Sequence, residues 1–182
     1  MEIKGHSVIA ADKKTVWEGL NNPDILRQSI PGCESLEAIG ENQFKATVIT
    51  KIGPIKAKFS GQVELTDLNP PESYTIAGSG SAGAMGAAKG NAYVKLADTP
   101  EGTRLDYNVD ADISGKIAQL GSRLIESTAG VLAGQFFTKF SEMVSPEGAK
   151  VQVVTEKSGT PLWIFAVSGI AVLALIAFLI FR

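Results

Sequence analysis

The chain has 182 residues, 45% of them apolar and 20% charged, with a formal net charge of −2. That length holds one domain and an appendage, and the near-neutral balance excludes nucleic acid as the main partner, because phosphate binding draws on clustered Lys and Arg. The single cysteine, Cys33, permits no internal disulfide and gives no sign of an oxidising compartment.

The opening residues MEIKGHSVIAADKK hold no apolar stretch and no small-residue cleavage site, so no secretory signal peptide is expected there. Glu2 to Ala10 is a possible strand. Asp12 is placed to cap a short helix carrying Val16, Trp17 and Leu20. Asn22 and Pro23 supply a second cap and a proline at the first helical position, predicting a helix over Asp24 to Ser29 that Pro31-Gly32 ends. A run of strands follows. Gln43 to Ile52 alternates, Gly53-Pro54 turns the chain, and Ile55 to Thr66 alternates most clearly. There Ile55, Ala57, Phe59, Gly61, Val63 and Leu65 oppose a polar set on the other face. A period of two with one polar face predicts an antiparallel sheet wet on one side. Ser73 to Gly80, Ala88 to Ala97 and Thr103 to Asp112 continue the pattern.

From Lys116 to Val144 the spacing becomes helical, through Ile117, Leu120, Leu124, Val131, Leu132, Phe136, Phe140 and Met143. This predicts one helix of up to about 29 residues, roughly 40 Å long, stopped by Ser145-Pro146. Such a helix has to lay its apolar stripe across the open face of the sheet. The expected fold is α+β, a helix-grip arrangement in which a curved antiparallel sheet wraps around a long C-terminal helix, over residues 1–144.

Residues 145–161 are short of large apolar groups and read as a flexible tether, reaching roughly 20–25 Å. Residues 162–181, LWIFAVSGIAVLALIAFLIF, carry no charge. As a helix they span roughly 30 Å, the thickness of a bilayer's hydrocarbon core. Trp163 and Arg182 sit at the ends, where interfacial groups belong. With the apolar span last, the expectation is a single-pass anchor holding the N-terminal domain in the cytoplasm.

Many inward positions of this sheet and helix are small: Ala46, Ala57, Gly61, Gly78, Gly80, Ala88, Gly90 and Ala92, with Gly121, Ala129, Gly130 and Gly134 on the helix. Interiors pack to crystal density. Either the backbones approach closely, with strand glycines marking bends, or a ligand fills the space. In the second case an apolar pocket is expected among Phe44, Phe59, Tyr74, Ile76, Gly90, Ala92, Val94, Tyr107, Leu124, Leu132 and Phe136. The stretch GSGSAGAMGAAKG matches GxGxxG, but strands flank it and no helix follows, which argues against dinucleotide binding. It reads instead as a flexible connection, a lid or docking loop around Gly78, Gly80, Gly83, Met85 and Gly86.

Catalytic equipment is scarce. With His6 and Cys33 alone of their kinds, neither a His/Cys metal site nor a Ser-His-Asp arrangement is readily built. Asp106, Asp110 and Asp112 share a strand face that alternation places in solvent, so no catalytic or metal-binding residue is assigned.

IPGCESLE (Ile30 to Glu37), KIGPIKAKFSGQVEL (Lys51 to Leu65), GSGSAGAMGAAKGNAYVKL and GTRLDYNVDADISGKIAQLGSRLI (Gly102 to Ile125) together resemble the carbon monoxide dehydrogenase G-subunit family. That family belongs to the START/Bet v 1-like (SRPBCC) helix-grip superfamily. The resemblance covers about residues 2–144 and implies a non-catalytic accessory protein of bacterial molybdenum hydroxylases, notably aerobic CO dehydrogenase. It further implies attachment of that enzyme to the cytoplasmic membrane and handling of a respiratory quinone, ubiquinone or menaquinone, in a hydrophobic pocket. A plain anchor without ligand, or a carrier or enzyme for another lipid-like molecule, are the competing expectations. The matching motifs carry glycines and strand positions, so no catalytic residue transfers.

Overall fold

Strict alternation of apolar and polar residues dictates the architecture. The computed structural model describes residues 1–145; the predicted membrane span and the tether beyond Ser145 lie outside the described residues. The chain runs β1 (Glu2–Ile9), α1 (Lys13–Leu20), α2 (Pro23–Ser29), β2 (Cys33–Gly40), β3 (Gln43–Ile52), β4 (Ile55–Asn69), β5 (Ser73–Ser81), β6 (Ala87–Thr99), β7 (Gly102–Ser114) and α3 (Ser122–Val144). The strands form a seven-stranded antiparallel sheet in the order β1-β7-β6-β5-β4-β3-β2. α3 crosses its concave face, giving the helix-grip fold.

Local chemistry fixes the helix starts. The Asp12 side chain accepts from the Thr15 backbone N–H at 3.0 Å and from its hydroxyl at 2.5 Å. These bonds hold the Asp12 carboxyl below its ordinary pKa. Asn22 Oδ1 accepts from the N–H groups of Asp24 and Ile25 at 2.9 and 3.3 Å, with Pro23 at the first helical position. α1 and α2 pack on the C-terminal half of α3. Gly19 makes room for that contact, since a Cβ there would lie 2.7 Å from Val144 Cγ1.

The predicted 116–144 helix is shorter than its spacing suggests. Ile117 leads a 3₁₀ turn, Ala118–Leu120, and Gly121 at φ +83° breaks the chain before α3 begins. The buried stripe of α3 is also rotated from the expected one. Ile125, Ala129, Ala133, Phe136, Phe137, Phe140 and Val144 face the sheet, whereas Leu124, Val131 and Met143 are exposed. Ala129 and Ala133, at four-residue spacing, lie on the buried side of the helix, and the bulkier Leu124 and Val131 are turned outward.

The glycine-rich stretch differs most. Gly78 and Gly80 are paired residues of β5 and Gly90 of β6, which leaves a short turn, residues 82–86. The Gly83 N–H donates to Ser81 Oγ at 2.8 Å, Ala82 N–H to Gly86 O at 2.8 Å, and Ile117 N–H to Met85 O at 3.0 Å. Gly86, at φ +139°, lies so close to Ser114 that a Cβ would sit 2.2 Å from its carbonyl oxygen. The turn is fixed by hydrogen bonds and close approach, not built as a free connection.

Candidate functional site

Register converts the small residues into a shape. One inward row across the sheet reads Gly61, Gly80, Ala88 and Ile113; the next reads Val63, Gly78, Gly90 and Ala111. Farther along come Leu65, Ile76, Ala92 and Val109, then Tyr74, Val94 and Tyr107, then Leu96 and Leu105. Side-chain volume rises from one end of the sheet to the other. At the bulky end Phe136 and Phe140 are fully buried, and Tyr107 stacks on Phe137 with ring centroids 6.0 Å apart.

At the small end the packing leaves an apolar cavity of about 60 Å³. Its sheet walls are Ile3 of β1, Thr50 and Ile52 of β3, Phe59 of β4, Ala87 and Ala88 of β6, and Ala111 and Ile113 of β7. α3 roofs it with Ile125, Thr128, Ala129 and Leu132, while Met1 and Ile117 complete the lining. The cavity separates the main core from a smaller cluster built on Ala57, Phe59, Ile117 and Ile125. Outside it, an open groove of about 430 Å³ runs between α3 and the Pro31–Gly32 and β3 backbones. Thr50, Thr128 and Leu132 line both spaces and form the partition between them.

Of the residues expected to line a pocket, Phe59 and Leu132 do so. Tyr74, Ile76, Ala92, Val94, Tyr107 and Phe136 are buried in the packed core instead, and Phe44 lies half-buried at its margin. Leu124 is 37% exposed and covers the Gly53 turn. Gly90 and Gly78 border a polar groove on the outer face of the sheet, beside Lys89, Asn91, Asp110 and Asp112. Met85 packs on the smaller cluster. The lining residues that sequence reasoning misses come mainly from β1, β3, β7 and the first turns of α3. Ala88 and Ala129 carry a visible signal, small size at an inward position; Thr50 has inward parity on β3.

Reactive groups stay apart. Among the described residues no group of three or more His, Cys, Asp or Glu side chains is placed to hold a metal ion. Desolvation pushes the Cys33 thiol above its ordinary pKa, the opposite of an activated nucleophile. Burial likewise raises the Tyr74 and Tyr107 phenols, which stay neutral. Arg104 pairs with Asp106 at 2.9 Å on the outer face, away from the cavity.

Solved structures share this architecture, although a sequence search among curated proteins finds no match. A conserved protein from Geobacillus kaustophilus is similar in structure with a TM-score of 0.74 at 31% identity, covering 79% of this chain and 95% of that one. A Thermus thermophilus protein superposes with a TM-score of 0.59 at 16% identity, covering 79% and 97% of the two chains. Ara h 8.0201 does so with 0.56 at 13% identity and coverage of 79% and 97%. The last two share the Bet v 1-like fold and carry nothing further at such identity. Residues 5–145 match the family model for the G-subunit of carbon monoxide dehydrogenase (CoxG), and the chain belongs to that family.

Proposed function

We propose that this chain is a non-catalytic, membrane-anchored accessory protein that recruits a molybdenum hydroxylase of the CO dehydrogenase type to the cytoplasmic membrane and carries respiratory quinone. The observation that carries this reading is the apolar cavity under the N-terminal half of α3, bordered by an open groove. Isoprenoid quinone is confined to lipid, while a soluble hydroxylase has electrons to discharge. A hollow domain tethered at the bilayer bridges the two phases. The uncharged 162–181 stretch supplies the anchor in this reading. Tethering keeps carrier and membrane at high effective concentration, so tight binding is unnecessary.

The cavity as it stands is small. Its 60 Å³ is below the roughly 300–1,000 Å³ of sites that hold a ligand. Leu132 lines both the cavity and the groove, so in this reading the ligand occupies the two spaces together. The test is to purify the full chain from membranes in mild detergent, extract co-purified lipid and identify it by mass spectrometry. Menaquinone or ubiquinone at near-stoichiometric amount is expected. A quinone-free protein that still holds the hydroxylase on membranes would reject the carrier and leave a plain anchor.

A further inference from the structure

Thr50 stands where cavity and groove meet. Its side chain is inward by strand parity, only 6% of the residue is exposed, and it lines both spaces. Its cross-strand partner is Ala57, which offers no polar atom from its side chain. The other wall hydroxyl, Thr128, donates its proton to the Leu124 carbonyl at 2.9 Å. Among the described residues the Thr50 hydroxyl has no such partner. Among the described residues the sealed hydroxyl oxygens without a partner are those of Ser141 and Ser145; that of Thr50 is not one of them, so it stays open to whatever occupies these spaces. The ammonium of Met1, another lining residue, donates to the Ala111 carbonyl at 2.6 Å.

We infer that Thr50 reads the ligand's headgroup: its hydroxyl donates a hydrogen bond to a carbonyl oxygen of a neutral ligand that enters through the β3–α3 groove, with Leu132 swinging aside. One neutral donor suits a quinone carbonyl. A fatty-acid carboxylate would ask for a buried cation or several donors. The headgroup is then held where cavity and groove meet, on the side an electron donor can reach, and not deeper in the cavity. This assignment rests on the quinone-carrier reading.

The test uses the full chain in detergent micelles with two probes, a menaquinone bearing a geranylgeranyl tail and the same substituted naphthalene without its two oxygens. Thr50→Val is expected to weaken quinone binding about tenfold while leaving the naphthalene unchanged. Thr50→Ser should restore quinone binding, and the bound quinone's C=O infrared band should move to higher wavenumber in Thr50→Val alone. Unchanged quinone affinity in Thr50→Val overturns the role of Thr50 but leaves the carrier intact. Equal loss of both probes assigns Thr50 to wall packing and also overturns it. A wild-type chain that binds neither probe, and yields no quinone from membranes, rejects the carrier reading and this assignment together.

Discussion

The two ends of the helix-on-sheet sandwich are built by opposite rules. At the C-terminal half of α3 the interior is aromatic and full: Phe136 lies 5.3 Å from Phe137 and 5.5 Å from Phe140 by ring centroid, and Trp17 meets Tyr74 edge-on at 5.3 Å. At the N-terminal half, Ala88, Ala111 and Ala129 stand among Ile52, Phe59 and Ile113, and space remains. Aromatic burial with specific ring geometry rivets one end, whereas the other end gives up contacts that close packing would supply. The cavity is thereby confined to one end of the domain while the other stays fully packed.

The comparison breaks first if the packed end is not the anchor. Phe136→Ala should destabilise the domain by about 3–5 kcal/mol in urea unfolding; a loss below about 1 kcal/mol would mean the stability resides elsewhere. Next comes the turn at the hollow end. Gly86→Ala places a methyl against the Ser114 carbonyl at φ +139° and should cost about 2 kcal/mol or more. Gly83→Ala, at φ +56° with nothing within 4 Å, should cost about 1 kcal/mol. Equal small effects would return the turn to the class of loose connections.

A matched pair separates the two ends directly. Ala92 is fully buried in the packed core, so Ala92→Leu overfills it and should cost about 1–3 kcal/mol. Ala88 lines the cavity, so Ala88→Leu should change stability by less than about 1 kcal/mol while abolishing quinone co-purification. A reversed order of stabilities would displace the cavity from this end. The smallest effect concerns Cys33. Its raised pKa keeps thiolate scarce at neutral pH, so iodoacetamide should alkylate the native protein more slowly than the urea-unfolded chain. Faster labelling of the native state would mark an activated thiol.

Where a single local rule acts, the sequence is a sufficient guide. Asp12 and Asn22 cap the helices that their positions predict, and β3 runs from Gln43 to Ile52 as its alternation predicts. The cavity depends on which residues of different strands share a row, and alternation within one strand says nothing about its neighbours. Tyr74 and Thr50 are both inward residues of one sheet, yet register puts the first in the packed core and the second at the doorway. The stripe of α3 is hard to read for a related reason. Residue size points to Leu124 and Val131, whereas the side of the helix that is buried carries Ala129 and Ala133. Gly121 then ends a helical spacing that Ile117 and Leu120 alone would continue.

The strand order carries a consequence for biogenesis. β1 is made before the other six strands but, among the described residues, pairs with β7 alone, in a register that joins Glu2 to Asp110. Until β7 has been made, both edges of the first strand are unpaired and open to other chains, the exposure that favours aggregation. Contacts this distant in sequence also slow folding, toward the millisecond-to-second range of sheet-rich domains. The sheet cannot be completed before residue Ser114 is free of the ribosome, and α3 closes over it only afterwards. Nascent chains of this protein are therefore expected to depend on chaperone cover until nearly the whole domain has been synthesised.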